Sequence, residues 1–262
     1  MSFQPIVAGT GLVAWNFLQR TMDTQTKAFE SSPVMQRDLD YFEENIRNVE
    51  TAEDLTSDRR LMRIALGAYG LDEDINHTFL MKKVLEEGSQ ASDSLANKMA
   101  DKRYLAFAKD FGFGDLGGPW HKKDSFVENI KEQYTTRQFE IAVGEQDESL
   151  RLALNAVREL EEIAVNGKSD TTKWFSVLGS PPLRNVMETT FNLPSSFGAM
   201  DLDKQLETFR GRMEKLTGDS EIGQFVGEDA QQKIVDRYLI MSQISNTQGL
   251  SGGQIALSLL QY

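Results

Sequence analysis

Apolar residues recur at helical spacing along most of this chain, and this periodicity is the feature that most constrains its fold. The first clear stripe, with spacings of three, four and three residues, consists of Leu39, Phe42, Ile46 and Val49. Residues at such spacings share one face of a helix. The two-residue alternation typical of half-buried strands is nearly absent. The sequence therefore predicts an all-α fold, an irregular multi-helix bundle.

Capping signals predict where several of these helices begin and end. Ser57 or Asp58 can cap a helix whose buried stripe starts at Leu61, and Gly70 suits its C-terminal position. The next helix is expected to end at Gly88. A fourth helix, opened by Ser92 or Ser94, is expected to run to Phe111. Further helices are predicted over residues 124–143, 148–165, 170–178, 181–191, 202–216 and 234–241.

The segment Phe111–Trp120 concentrates glycine and includes a Gly-Pro pair, which is typical of a loop or a hinge. We place a domain boundary here. The predicted organisation is an N-terminal segment (1–36), a first helical half (37–115), a second helical half (116–245) and a C-terminal tail (246–262). The two halves share the frame Leu, seven residues, aromatic, any residue, Leu, which begins at Leu61 and again at Leu183. A diverged duplication is one explanation, and chance alignment of helical stripes is the other.

Composition argues against several classes of partner and site. Forty acidic residues against 28 basic residues give a formal net charge of -12, which disfavours nucleic acid and anionic membrane surfaces as partners. No window is apolar enough for membrane insertion, and no basic region precedes Arg20, which argues against a cleaved secretory signal. The chain contains no cysteine, so disulfides and thiolate-bound metals are excluded.

The titratable residues show no pattern that predicts catalysis or a cofactor. His77 and His121 are the two histidines of the chain. His77 follows the acidic run Asp72–Asp74, so a histidine and carboxylate metal site is conceivable, although acidic residues at the start of a helix also favour the helix dipole. The sequence therefore predicts no catalytic residue, no cofactor and no metal, and a protein that is not an enzyme.

The C-terminal tail carries the strongest candidate for partner binding. After Gly249–Gly253, a flexible break, apolar residues reappear at the end of an otherwise charged chain: Ile255, Leu257, Leu259 and Leu260. Such a segment needs a partner surface, which is either the core of its own chain or another protein. A weaker second patch for partner docking surrounds the glycine-rich loop and consists of Phe111, Phe113 and Trp120.

A set of short motifs spread over residues 10–245 resembles a known family. The motifs of the first half are Asp38–Ile46, Thr51–Leu55, Ser57–Leu61, Leu66–Asp72, Lys83–Gly88, Leu95–Asn97, Asp101–Tyr104 and Phe111–Gly114. Those of the second half are Arg137–Ile141, Arg158–Leu160 and Pro181–Arg184. The chain resembles alphaproteobacterial proteins of unknown function that are often encoded inside flagellar gene clusters. In addition, Ile255–Gln261 looks like the closing residues of flagellins and related axial proteins.

The resemblance implies a flagellar association and supplies no catalytic residues. The leading hypothesis is a non-enzymatic flagellar protein that is exported and packs against itself or an axial component, in the flagellum or outside the cell. The second hypothesis is a cytoplasmic adaptor or export chaperone that holds a flagellar client. A metal-dependent enzyme that uses His77 is the remote third. The oligomeric state is left open.

Overall fold

The computed structural model describes residues 3–248. Over that range the chain forms α-helices and short 3-10 helices without any strand, so the predicted all-α class is confirmed. No helix of the described range is long and apolar enough to cross a bilayer. The α-helices are α1 (Gly11–Glu30), α2 (Pro33–Asn45), α3 (Ala52–Ser57), α4 (Arg59–Tyr69), α5 (Thr78–Glu87), α6 (Leu95–Lys98), α7 (Arg103–Phe111), α8 (Asp124–Gly144), α9 (Glu148–Val165), α10 (Asp170–Leu178), α11 (Pro181–Thr190), α12 (Leu202–Thr217) and α13 (Glu228–Gln248).

The chain divides into two compact units. Among the described residues, unit 1 comprises Arg20–Glu145 together with residues 3–6, and unit 2 comprises Val7–Gln19 together with residues 146–248. The division therefore follows Glu145, whereas the sequence analysis places it between residues 115 and 116. Residues 116–145, expected in the second half, lie in unit 1.

Helix α8 explains this difference, because it packs against α4 within unit 1. The aromatic ring of Tyr134 lies so close to Gly67 that a Cβ atom there would approach two ring carbons to 2.8 and 2.9 Å. The Tyr134 hydroxyl also donates a hydrogen bond to Asp38 at 3.3 Å. The loop before α8 is thus a connection inside unit 1, and such long-range packing leaves no local signal in the sequence.

Local capping sets both ends of α4, as the sequence predicts. The Asp58 carboxylate accepts hydrogen bonds from the backbone N–H groups of Arg60 and Leu61, each at 2.9 Å. These N–H groups have no partner inside the helix, so the cap stabilises its first turn. At the other end Gly70 adopts a left-handed φ of 67°, a conformation that glycine reaches without steric cost.

One predicted detail of the helices is wrong. The helix expected from Ser92 or Ser94 to Phe111 is interrupted between α6 and α7. The Asp101 carboxylate accepts a hydrogen bond from the backbone N–H of Arg103 at 3.0 Å, and this local bond starts a new helix at Arg103.

The N-terminal segment 1–36, for which the sequence analysis makes no helix prediction, also contains helix. Helix α1 begins at Gly11, so the glycines near the N-terminus precede it or occupy its first turn rather than interrupting it. Ala14, Trp15 and Leu18 are buried. These three side chains share one face of the helix, which explains why the segment folds although its first residues disfavour helix.

Unit 2 has its own apolar core. The rings of Trp174 in α10 and Phe209 in α12 have centroids 6.1 Å apart, and Phe197 lies 5.2 Å from Phe209. The indole N–H of Trp174 donates to the carbonyl of Ser220 at 3.0 Å, which satisfies its polar atom inside the core. Helices α9, α11 and α13 pack against one another in the same unit.

The two copies of the repeated sequence frame end in the same backbone turn. Gly70 in unit 1 and Asn192 in unit 2 both adopt left-handed conformations, with φ of 67° and 51°. The next residue, Leu71 or Leu193, donates its N–H to the carbonyl five residues earlier at 2.9 Å in both cases. A 3-10 helix and then another α-helix follow each turn. This shared geometry supports a diverged duplication, which stays a prediction.

Candidate functional site

The glycine-rich loop between α7 and α8 is hydrogen-bonded to the rest of unit 1 at both of its ends. The Asp115 carboxylate accepts from the backbone N–H groups of Ser89 and Gln90 at 2.6 and 3.2 Å, and from the Ser89 hydroxyl at 2.7 Å. Near the other end, Nε2 of His121 lies 2.8 Å from the carbonyl oxygen of Val49. These hydrogen bonds hold the loop, which the sequence analysis expects to be a hinge, against the rest of unit 1.

The three aromatic residues expected to dock a partner near this loop differ in exposure. Phe111 is 0% exposed, with the rings of Phe107 and Phe126 at centroid distances of 4.9 and 5.0 Å. Phe111 is thus part of the core and does not reach a docking surface. Phe113 is half-buried and stacks on Phe111 at 6.0 Å. Trp120 is half-buried as well.

Trp120 lines an open cleft of about 510 Å³ in unit 1. The Lys123 ammonium lies 4.3 Å from the centroid of the indole. A Cβ atom at Gly112 would approach the same ring to 2.5 Å. Trp120 therefore already packs against Lys123 and the loop backbone, which reduces the ring surface that a ligand or partner could contact.

Asp110 contributes a carboxyl group to this cleft. Burial raises its pKa, and its Oδ2 accepts a hydrogen bond from the Tyr69 hydroxyl at 2.9 Å. The pKa of Tyr69 is also raised well above its ordinary value, mainly by burial. The Tyr69 hydroxyl keeps its proton and donates it in a hydrogen bond to the Asp110 carboxylate. Because Tyr69 lies in α4 and Asp110 in α7, this bond joins the two helices.

His121 is fully buried beneath the loop. Its ring lies 5.0 Å from Phe113, and its Nδ1 atom has no hydrogen-bond partner among the described residues. Burial lowers the pKa of His121. A neutral ring that donates from Nε2 to Val49 fits this environment, because a second proton on Nδ1 would be buried without an acceptor.

The structure brings His77 next to Asp74 but directs the Asp72 carboxylate to another partner. Nδ1 of His77 lies 2.9 Å from Oδ1 of Asp74, and the other oxygen of Asp74 accepts from the Tyr104 hydroxyl at 2.7 Å. Asp72 instead accepts from Gln138 at 3.1 Å. Within residues 3–248, no three histidine or carboxylate side chains are grouped as metal ligands.

The solvent-facing side of α13 in unit 2 changes from charged to apolar toward the end of the helix. Lys233 and Arg237 are followed at helical spacing by Ile240 and Ile244, which are 40% and 41% exposed. Residues four positions apart lie one above the other on a helix. The two isoleucines thus form an exposed apolar strip, called here the Ile240–Ile244 ridge.

The other side of α13 borders a polar groove of about 470 Å³. Tyr238, Ser242 and Ser245 line it from α13, and Asp147 and Glu148 line it at the start of α9. Burial, followed by the charges of Glu148 and Asp147, raises the pKa of Tyr238 to about 12. The groove therefore presents hydroxyls and carboxylates, and the ridge presents hydrocarbon.

The sequence analysis does not predict the ridge. Ile240 and Ile244 are four positions apart in the sequence, but this spacing alone does not indicate which face of α13 packs inward. The tail residues expected to bind a partner, Ile255, Leu257, Leu259 and Leu260, lie outside the described residues.

Residues 68–226 match the family model described as a protein of unknown function, DUF1217, and this stretch exceeds half of the chain. The chain belongs to the DUF1217 family. The DUF1217 match includes the glycine-rich loop and its cleft, whereas the Ile240–Ile244 ridge lies beyond its end. The family description names no activity.

A solved structure is similar to this DUF1217 protein over nearly its whole length. The crystal structure of protein AGR_C_984 from Agrobacterium tumefaciens has 26% sequence identity and a TM-score of 0.73, and the match covers 93% of this chain and 98% of that chain. No curated protein matches the chain. The multi-helix architecture is therefore similar to that of an experimentally determined fold.

Proposed function

We propose that this DUF1217 protein is a non-enzymatic component of flagellar assembly that acts through helical packing surfaces. The observation that carries the proposal is the Ile240–Ile244 ridge, which lies directly before the apolar tail. The resemblance to proteins encoded in flagellar gene clusters supplies the biological setting.

The physical basis is the pattern of the exposed residues. Two isoleucines four positions apart are the kind of anchors by which one amphipathic helix binds another. Full burial of an isoleucine side chain contributes roughly 1.5–3 kcal/mol, so covering the exposed part of Ile240 and Ile244 contributes about 1 kcal/mol each. The ridge and the tail together therefore offer enough apolar surface for specific docking onto a helical partner.

The expected partner is an amphipathic helix of a flagellar axial or export component. Under the leading form of the proposal, the protein is exported by the flagellar apparatus and is found in the flagellum or outside the cell. Under the alternative form, it stays in the cytoplasm as an adaptor or export chaperone. The net charge of -12 supports solubility in either place.

Fractionation tests the proposal. Sheared filaments, basal bodies, medium and cytosol are immunoblotted for the protein in wild-type cells and in a strain without flagellar export. Signal outside the cell that depends on export supports the axial form, and signal confined to cytosol but co-purifying with a flagellar protein supports the chaperone form. A protein that is found in cytosol and binds no flagellar component contradicts both forms.

A matched pair of variants tests the role of the ridge. Ile240→Asp with Ile244→Asp removes its apolar surface, and the variant should be depleted about ten-fold from the flagellar fraction or the client complex, as expected when about 1.4 kcal/mol of affinity is lost. Val165→Asp is the control, because Val165 is another apolar residue of unit 2 and is 65% exposed. Equal depletion of both variants would exclude a specific role for the ridge.

The remote alternative, a metal-dependent enzyme that uses His77, makes a separate prediction. His77→Ala and a chelator would both have to lower the melting temperature if a metal were bound there. Unchanged melting in both experiments would count against that alternative.

A further inference from the structure

The cleft beside Trp120 in unit 1 is lined by side chains that can donate hydrogen bonds to a ligand. The ammonium groups of Lys109 and Lys123 form no ion pair within the part of the chain that the structure describes. The Ser125 hydroxyl and the Asn129 amide N–H group likewise donate to no described residue. Four side chains with donors to offer therefore line one cleft.

The carboxylates that line the same cleft already have donors. Both oxygens of Asp115 accept hydrogen bonds from the segment 89–90. Asp110 accepts from the Tyr69 hydroxyl at 2.9 Å. Lysine ammonium groups can only donate hydrogen bonds. A cleft whose acceptors are engaged and whose donors are not fits a ligand that is rich in acceptors, such as a carboxylate.

The start of α8 adds positive potential on this side of unit 1. Lys123 is the N-cap residue of this helix of 21 residues, and its side chain caps none of the first N–H groups. The helix dipole places partial positive charge at this end and favours anions there. Asp124 in the first turn is bound by Arg47 at 2.6 Å, so its negative charge is already paired.

The cleft also has an apolar part, formed by Trp120 and Phe126. The ammonium of Lys123 lies 4.3 Å from the centroid of the indole. This contact orders the lysine side chain without neutralising its charge. The volume of about 510 Å³ is within the range of ligand sites. Because the cleft is open, it can admit a segment of a longer chain.

We propose that this cleft binds an acidic segment of a partner protein, whose side-chain carboxylates accept from Lys109 and Lys123. Ser125 and Asn129, four positions apart on one face of α8, donate to the same carboxylates. The inference deepens the proposed function, on which its biological role rests, by giving the chemistry of a contact in unit 1. The net charge of -12 repels long polyanions, so a short acidic segment fits better than nucleic acid.

Binding of a labelled peptide to the purified full-length protein tests the proposal. The probe is a short fluorescent peptide of alternating glutamate and leucine, and the control probe carries glutamine at every glutamate position. Fluorescence anisotropy should show binding of the glutamate probe and about ten-fold weaker binding of the glutamine probe. Equal binding of both probes, or binding of neither, would overturn the proposal.

Matched lysine variants assign the binding to the cleft. Lys109→Gln with Lys123→Gln should weaken binding of the glutamate probe about ten-fold, and Lys109→Arg with Lys123→Arg should retain most of it. Lys27→Gln with Lys168→Gln removes the same charge from exposed lysines outside the cleft and should leave binding unchanged. Equal weakening in the two glutamine pairs would show only general charge attraction and would refute the site.

The indole N–H resonances in an NMR spectrum locate the bound probe. Trp120→Phe identifies the Trp120 signal, which should shift when the glutamate probe binds. The signals of Trp15 and Trp174 should stay in place, because both side chains are buried. Binding that leaves the Trp120 signal unchanged would place the probe elsewhere and contradict the proposal.

Glutarate, a free dicarboxylate, distinguishes a protein segment from a small ligand. It should compete with the peptide only at much higher concentration, because it lacks the apolar side chains. Glutarate that binds as tightly as the peptide would overturn the assignment to a protein segment. Peptide binding would stand even if the protein proves not to be flagellar, and its absence would refute the cleft even if the protein is flagellar.

Discussion

Gly67 offers the sharpest test of how unit 1 is assembled. A methyl group at this position would lie 2.8 and 2.9 Å from two ring carbons of Tyr134 and 3.2 Å from an oxygen of Asp72. Tyr134 is 2% exposed, and its hydroxyl donates to Asp38, so the ring has little freedom to move. Gly67→Ala should therefore force α4 and α8 apart.

The expected change in the free energy of unfolding is the difference between a gain in helix propensity and a loss from overpacking the core. Replacing a glycine in the middle of a helix by alanine stabilises the helix by about 0.5–1 kcal/mol. Overfilling a packed core costs about 1–3 kcal/mol. The second term is larger here because the obstacle is a buried ring, so Gly67→Ala should lower the free energy of unfolding by about 1–2 kcal/mol.

Gly211 in α12 provides the matched control, since apart from its chain neighbours and the backbone of its own helix no atom lies within 4 Å of the position that its Cβ would take. Gly211→Ala should raise the free energy of unfolding by about 0.5–1 kcal/mol. Urea unfolding followed by circular dichroism measures the total, and hydrogen exchange assigns each change to unit 1 or unit 2. A Gly67→Ala protein as stable as wild type would refute the packing of α8 on α4.

Three further substitutions test the loop and the repeated turn. Burial lowers the pKa of His121, so the unfolded chain takes up a proton at this side chain more readily than the folded chain. The free energy of unfolding should therefore fall as the pH drops below about 6.5. In His121→Gln, the free energy of unfolding measured with urea should depend less on pH between pH 7 and pH 5. Asp115→Ala should speed hydrogen exchange at Ser89 and cost about 1–3 kcal/mol in urea unfolding, and an unchanged midpoint would contradict its role in pinning the loop. At the left-handed position, Asn192→Ala should lower the melting temperature by costing about 1 kcal/mol, whereas Asn192→Gly should not.

The candidate site could be anticipated from the sequence only in part. The glycine content of Phe111–Trp120 predicts a loop, and a loop is present. Its attachment through Asp115 to Ser89 joins residues far apart in the chain, so no local pattern indicated it. Phe111 is in the core because four other aromatic rings converge on it, and the direction of a helix face is decided by what packs there.

The sequence by itself determined the class of the fold and most helix ends. Asp58 and Gly70 act on backbone groups within a few residues, and amphipathic spacing is likewise a property of one segment, so both can be read locally. The tertiary structure alone decided that α8 belongs with α4, and that the apolar ridge of α13 faces solvent. Those outcomes depend on contacts between residues distant in the chain, whose free energies are set by the shapes and charges of surfaces that exist only after folding.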